Sequence, residues 1–266
     1  MTHLAATDVV TAATHLMRAG QWTAASDLLR ATQPETPAEH RSLALALAEV
    51  AVDQDFAQQT NHAPAALTAL TQLLSESPDP TLTWDVELLQ LRNDYGTALV
   101  QSGDLRFGPD GRDENASATL AGRAVQLGES APDDSRRGSV SFYAGLIADN
   151  LRGRGDEAFA YFASALQLGE KSGDELLASL ALRHLGDHAH TAGDLALARE
   201  QWERSTELRQ KVGHLLGALA QQALLAVLLR DEGDLPGSRV LATEVNRWAR
   251  QVDLPFLVSQ TDALLT

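Results

Sequence analysis

Three of the chain's eight histidines fall within seven residues, at His184, His188 and His190. If this stretch is helical, His184 and His188 stand one turn apart on the same face, and both imidazoles can reach one metal ion. A protein metal site needs at least a third ligand, which Glu200 or Glu203 would have to supply. The stretch therefore admits a metal or small-molecule site, a pH-sensitive contact, or histidines that pack against a neighbouring helix.

No other residue pattern indicates catalysis. The sequence has no P-loop, no Gly-x-Ser-x-Gly and no His-Glu-x-x-His motif. It has no cysteine, which excludes thiolate nucleophiles, Cys-based zinc sites and disulfides. The acidic loop near 105–114 fails the EF-hand spacing, because Arg106 and Gly108 stand where oxygen ligands belong. We therefore expect no cofactor, no metal and no catalytic residues, and we keep an enzyme as an alternative only.

Composition narrows the classes of partner. The net charge of −15 disfavours nucleic acid, whose binding depends on Lys and Arg neutralising phosphates. No stretch approaches the roughly 20 uninterrupted apolar residues of a membrane helix, and the first residues lack the basic start of a secretory signal. We expect a cytoplasmic protein that binds neither nucleic acid directly nor a membrane.

A recurring turn organises the chain. A Gly-Asp-Leu phrase follows one helical pattern and precedes the next, and looser forms extend it; the five turns begin at Gly20, Gly103, Gly155, Gly193 and Gly233. Glycine can take the left-handed conformation that ends a helix, and Asp can accept hydrogen bonds from the first N–H groups of the next one. The phrase predicts tight helical hairpins with a period of about 40 residues.

The apolar spacing predicts helices throughout and no strands. The helices are expected at about 2–19, 21–32, 36–58, 62–76, 82–102, 113–129, 135–152, 155–171, 174–192, 194–212, 214–232, 234–251 and 254–265.

The motif residues resemble those of the tetratricopeptide repeat (TPR) family. The match is clearest at Leu185-Gly186, Ala189, Gly193-Asp194-Leu195, Ala198 and Trp202. The long repeat is similar to TPR regions of actinobacterial transcriptional regulators. This resemblance implies an all-α, right-handed α-solenoid of about six helical hairpins plus a C-terminal capping helix. We expect a single domain over 1–266, with irregular repeats at 1–130, regular repeats at 131–253 and the cap at 254–266.

In TPR proteins the first helix of each hairpin lines a concave groove, so the resemblance also implies a binding surface. Arg183, Asp187 and His190 form one stripe of such a helix, and Phe142 falls near the matching register. The candidate ligand-binding residues are Asn93, Thr97, Asp149, Asn150, Arg183, Asp187, His190 and Arg230.

Three functional hypotheses remain open from the sequence. The leading one is a non-catalytic module that binds a peptide or protein segment in the groove. The alternative is an enzyme or a metal or small-molecule sensor that uses the His184/His188/His190 region. The third is self-association into a homodimer through apolar surface of the irregular repeats.

Overall fold

Helices form nearly all of the regular structure in a computed structural model of the protein, which describes residues 4–266. The helices are α1 (Ala6–Arg18), α2 (Trp22–Ala31), α3 (Pro37–Gln58), α4 (Ala63–Glu76), α5 (Pro80–Leu99), α6 (Glu114–Glu129), α7 (Asp134–Asn150), α8 (Gly155–Ser172), α9 (Glu175–Thr191), α10 (Leu195–Lys211), α11 (Leu215–Asp231), α12 (Leu235–Gln251) and α13 (Pro255–Leu265). Two short strands, β1 (Val100–Gln101) and β2 (Asp104–Leu105), lie between α5 and α6. Each predicted helix has a counterpart, and the all-α prediction is confirmed.

The helices form two compact units, which divide between Gly96 and Thr97. In the first unit α1, α2 and α3 pack against one another and α3 packs against α4. Its apolar core joins α3 and α4 to the start of α5, through Ala48, Ala51, Val52, Ala63, Leu67, Leu70, Leu74, Val86 and Leu89.

The second unit is a regular series of antiparallel hairpins. Each helix from α6 to α13 packs against the next one in the chain. Alternate helices also meet, since α7 contacts α9 and α11 contacts α13. We call α7, α9, α11 and α13 the first helices of the hairpins, and α8, α10 and α12 the second helices.

The turns of this series recur every 20 residues, which is half of the predicted period. The glycines at 153, 173, 193, 213 and 233 all have positive φ, between 62° and 92°. Asp174 and Asp194 then accept a hydrogen bond from the backbone N–H three residues on, each at 3.0 Å. A left-handed glycine therefore follows each helix from α7 to α11, and the predicted Gly-Asp pair with its Asp cap occurs at three of these five turns, before α9, α10 and α12.

Two of the predicted turns need correction. Gly155 is the first residue of α8, and the left-handed residue is Gly153, whose φ is 62°. The turn closes at Gly153, two residues before Gly155, so that Gly155 is already helical.

The turn at Gly103 joins two strands and not two helices. Val100 pairs with Leu105 and Gln101 with Asp104, and the two central residues, Ser102 and Gly103, both have positive φ. Two such residues suit a tight β-hairpin. The prediction of a helical turn was wrong here because no helical pattern follows Asp104, and α6 begins only after a cap at Asp113.

The helices of the described range do not include one that is long and apolar enough to span a membrane.

Candidate functional site

Helix α9 is fixed by unusually close packing on α10. A Cβ built on Gly186 would lie 2.4 Å from Cδ1 of Trp202, so the indole ring sits directly on the α9 backbone. The Trp202 Nε1–H donates to the carbonyl oxygen of Arg183 at 2.9 Å. In the same way, a Cβ built on Gly145 of α7 would lie 2.6 Å from Cε1 of Phe162 on α8, so this ring packs directly on the α7 backbone. These contacts fix the rotation of α7 and α9 against the second helices.

An ion pair lies in the middle of α9. Arg183 Nη1 is 2.6 Å from Asp187 Oδ2, and the two side chains keep 31% and 30% of their surfaces exposed. Burial raises the pKa of the Asp187 carboxyl, although the charge of Arg183 opposes that rise. The pair is therefore held in place and still open to solvent on one side.

His184, one residue away, points into the core. Its ring stacks on Phe162 with centroids 4.6 Å apart, and Phe142 packs beside it at 5.5 Å. Burial lowers the pKa of His184 well below its usual 6.5, and the positive charges of Arg183 and Arg209 lower it further. His184 is thus a neutral aromatic member of the core at neutral pH.

His188 lies on the side of α9 that packs against α7 and α8. Its Nε2 is 3.9 Å from Asp149 Oδ2 on α7 and has no hydrogen-bond partner. Its ring packs edge-on against Phe159 of α8, with centroids 5.8 Å apart. His188 thus brings α9 close to both α7 and α8.

His190 joins α9 to α11. Its Nε2 lies 2.8 Å from Asp231 Oδ2, and Asp231 also accepts a hydrogen bond from Arg230 at 2.7 Å. The hydrogen bond from Arg230 lowers the pKa of Asp231, and His190 lowers it further. The ring of His190 packs over Trp202, with centroids 5.3 Å apart.

These residues form one polar row across three successive first helices. We call it the first-helix face, and it consists of Asp149 on α7, Arg183, Asp187, His188 and His190 on α9, and Arg230 and Asp231 on α11. Five of the predicted site residues therefore lie together: Asp149, Arg183, Asp187, His190 and Arg230.

The other predicted residues are placed differently. Asn93 belongs to the first unit, and Thr97 is an exposed residue at the start of the second. The backbone carbonyl oxygen of Asn150 accepts a hydrogen bond from the backbone N–H of Gly108 at 2.8 Å. Phe142, near the predicted register of the groove, is instead 4% exposed and packs in the core. The binding roles of all eight predicted residues stay predictions.

The described part of the chain does not contain a group of three or more His, Asp or Glu side chains placed to hold a metal ion. His184 and His188 both pack on Phe162, with ring centroids 4.6 and 6.0 Å from that of the phenylalanine. The structure therefore gives the metal hypothesis no donor set within residues 4–266.

A buried arginine beside the face was not foreseen. Arg209 of α10 is 5% exposed, and its Nη1 donates to the carbonyl oxygen of Gly217 at 3.0 Å. Burial lowers its pKa to about 9, and the charge of Arg183 adds to that shift. Gln221, one turn beyond Gly217 on α11, is fully buried and its amide atoms have no hydrogen-bond partner. The available sequence signal was a glycine, Gly217, near the start of a predicted helix. The structure gives its reason, because a Cβ there would clash with both Arg209 and His214.

A second polar group in the first unit was also missed. Trp22 Nε1–H donates to Asp53 Oδ2 at 2.8 Å, and burial raises the pKa of Asp53 and of Glu49 one turn earlier. The signal was two acids at i,i+4 within the otherwise apolar run of α3.

Comparison with known proteins supports the architecture. A signal transduction ATPase with numerous domains from Pyrococcus horikoshii, which has a tetratricopeptide repeat sensor, superposes with a TM-score of 0.51 over 95% of this chain, at 16% sequence identity. This chain has a TPR-like helical-repeat fold. It spans 37% of the length of that protein. No family model matches the chain, and no curated protein matches it either.

The likeness confirms the predicted α-solenoid of consecutive helix pairs. The finer resemblance to actinobacterial regulators stays a prediction.

Proposed function

We propose that the chain is a non-catalytic binding module that holds a peptide or protein segment on the first-helix face of its second unit. The observation that carries the proposal is the alignment of paired polar groups across α7, α9 and α11. Two of the contacts join neighbouring helices, at His188–Asp149 and His190–Asp231. A polar row that crosses successive hairpins matches the path of an extended segment bound along the series.

The charges of the first-helix face indicate which interactions would recognise a partner segment. Asp187 pairs with Arg183, and Asp231 pairs with both Arg230 and His190. Because the charges balance locally, hydrogen bonding to the backbone of an extended segment explains recognition better than net attraction does. The ion pairs hold the donors and acceptors in position before the partner arrives, which lowers the entropic cost of binding.

The Pyrococcus protein is described as carrying its tetratricopeptide repeats as a sensor. By analogy, this chain would serve as the part of a regulatory system that recognises a partner segment. Fold likeness at this identity supports the architecture only, so the sensing role depends on the face itself.

A charge reversal at Arg183 tests the proposal. We expect the Arg183→Glu protein to bind peptides selected on the wild-type protein from a displayed random library at least about tenfold more weakly, since Glu at this position repels Asp187 and removes a charged donor. Fluorescence anisotropy with a labelled selected peptide measures the affinity.

Arg204→Glu is the matched control. Arg204 lies on the second helix α10, is 53% exposed and pairs with Glu170, so its reversal changes the net charge equally on another surface. We expect it to bind like the wild type. Unchanged affinity of Arg183→Glu, with both variants equally helical by circular dichroism, would contradict the proposal.

A further inference from the structure

The solvent-facing side of α12 carries an exposed tryptophan whose polar atom is already bonded. Trp248 is 48% exposed, and its Nε1–H donates to Glu244 Oε1 at 2.8 Å. The guanidinium of Arg247 lies over the indole, with Cζ 5.2 Å from the ring centroid. Because these contacts hold the side chain in one orientation, a partner can bury its apolar ring at a low entropic cost.

A second apolar side chain lies on the same side of the helix. Val240 precedes Trp248 by two turns, and at 73% it is the most exposed large apolar side chain among the residues that the structure describes. We call the exposed side of this helix the α12 outer face, and it consists of Val240, Thr243, Glu244, Arg247, Trp248 and Gln251. It combines two apolar side chains with a positioned ion pair.

The preceding second helix is acidic at the same positions. Helices α10 and α12 are both 17 residues long, and they begin 40 residues apart. Three exposed acids of α10 correspond to an apolar, a hydroxyl and a basic residue of α12, in the pairs Glu200 and Val240, Glu203 and Thr243, and Glu207 and Arg247. Since the chain has a net charge of −15, copies of it repel one another, and this repulsion is reduced at a face with few acids.

The charges of the α12 outer face are complementary to themselves. Arg247 Nη2 is 2.6 Å from Glu244 Oε1, and the two side chains are 50% and 53% exposed. Val240, Glu244, Arg247 and Gln251 follow one another at four, three and four residues, so they form one strip along the helix. The acid and the base occupy the middle of that strip, at equal distances from its two ends.

This symmetry defines how two copies of α12 fit together. In an antiparallel pair whose two-fold axis passes midway between positions 244 and 247, Glu244 of each copy lies opposite Arg247 of the other. Each Trp248 then lies opposite Thr243 of the other copy and within one turn of its Val240. Both exposed apolar side chains are covered, and each charge meets an opposite one.

We propose that the α12 outer face binds a second copy of this chain, as an antiparallel pair of α12 helices with Trp248 as the main anchor. The face belongs to a second helix, so the inference does not depend on binding at the first-helix face. A contact through one helix of each copy is smaller than the roughly 1,200–2,000 Å² of a stable interface, so we expect a dissociation constant on the order of 10 μM.

The first test is sedimentation equilibrium of the full chain at concentrations from about 1 to 200 μM, which bracket that constant. We expect the dimer fraction of the wild type to rise across this range. Trp248→Ala removes the anchor and should weaken dimerisation at least about tenfold. A wild type that stays monomeric, or a Trp248→Ala protein that dimerises equally well, would overturn the proposal.

The second test uses charge reversal at the ion pair. Arg247→Glu places Glu opposite Glu244 of the other copy, and Glu244→Arg places Arg opposite Arg247, so each variant alone should dimerise at least about tenfold more weakly than the wild type. In an equal mixture of the two variants every Glu meets an Arg of the other protein. The mixture should therefore dimerise to within about threefold of the wild type. A mixture as monomeric as its components would overturn the two-fold pairing.

Arg204→Glu is the matched control for both tests. Arg204 lies on α10, 40 residues before Glu244, and is 53% exposed. Its reversal makes the same change of net charge as Arg247→Glu, and we expect it to leave dimerisation unchanged. All substituted side chains are exposed, and circular dichroism should show equal helicity in every variant. Equal weakening by Arg204→Glu and Arg247→Glu would overturn the proposal, because it would reflect general repulsion between acidic copies.

Discussion

Replacing Gly186 by alanine is expected to destabilise the protein by about 2–3 kcal/mol, the upper range for overpacking a core. The added Cβ would lie 2.4 Å from two atoms of the Trp202 ring, which is 1% exposed and has no room to move. Either the indole or α9 must shift, and both movements break the hydrogen bond from Trp202 to Arg183. Urea unfolding followed by tryptophan fluorescence and circular dichroism measures the loss.

Gly122→Ala is the matched control for this prediction. Gly122 lies within α6, and a Cβ there would meet no atom within 4 Å. Because alanine is a better helix former than glycine, this change should stabilise the protein by about 0.5–1 kcal/mol. Equal effects of the two substitutions would show that the close contact of α9 with Trp202 is not present.

Acidification is expected to destabilise the protein through His184. Its pKa in the folded state is well below 6.5, whereas in the unfolded chain it titrates near its ordinary value. Below pH 6.5 His184 therefore binds a proton in the unfolded state but not in the folded state. The free energy of unfolding falls as the pH falls. Between pH 7.5 and 5.5 this one group should remove on the order of 1 kcal/mol.

The comparison is His184→Leu, which places at this position the residue found at Leu224, 40 residues later in the next repeat. We expect this variant to lose that part of the pH dependence, while His40→Leu, which removes an exposed histidine, keeps it. The raised pKa of Asp187 acts in the opposite direction, since its folded state binds a proton more readily than the unfolded chain does. Identical pH slopes in the wild type and His184→Leu would contradict the burial of a neutral His184.

The sequence predicts the hairpins well because their turns are local. Gly193 ends one helix in the left-handed conformation, and the adjacent Asp194 caps the start of the next helix. The same letters at Gly103 and Asp104 form a β-turn, because a cap needs a helix that follows it. A short motif therefore predicts structure only together with the pattern on both sides of it.

The site could be predicted only in part, because the rotation of each helix depends on its partners. His184 and His188 are one turn apart in the sequence, yet Phe162 and Phe142 bury the first ring. The buried Arg209 has its bond to Gly217 across a helix boundary. The contact of Phe107 with Phe256 joins residues 149 positions apart, and no periodicity in the sequence indicates it.

The most direct test of the binding surface is photo-crosslinking of a selected peptide to the wild-type protein. With a benzophenone group placed along the peptide, mass spectrometry identifies the residues that it contacts. The account predicts crosslinks on the first helices, within α7, α9 and α11. Crosslinks confined to the second helices α8, α10 and α12 would contradict it.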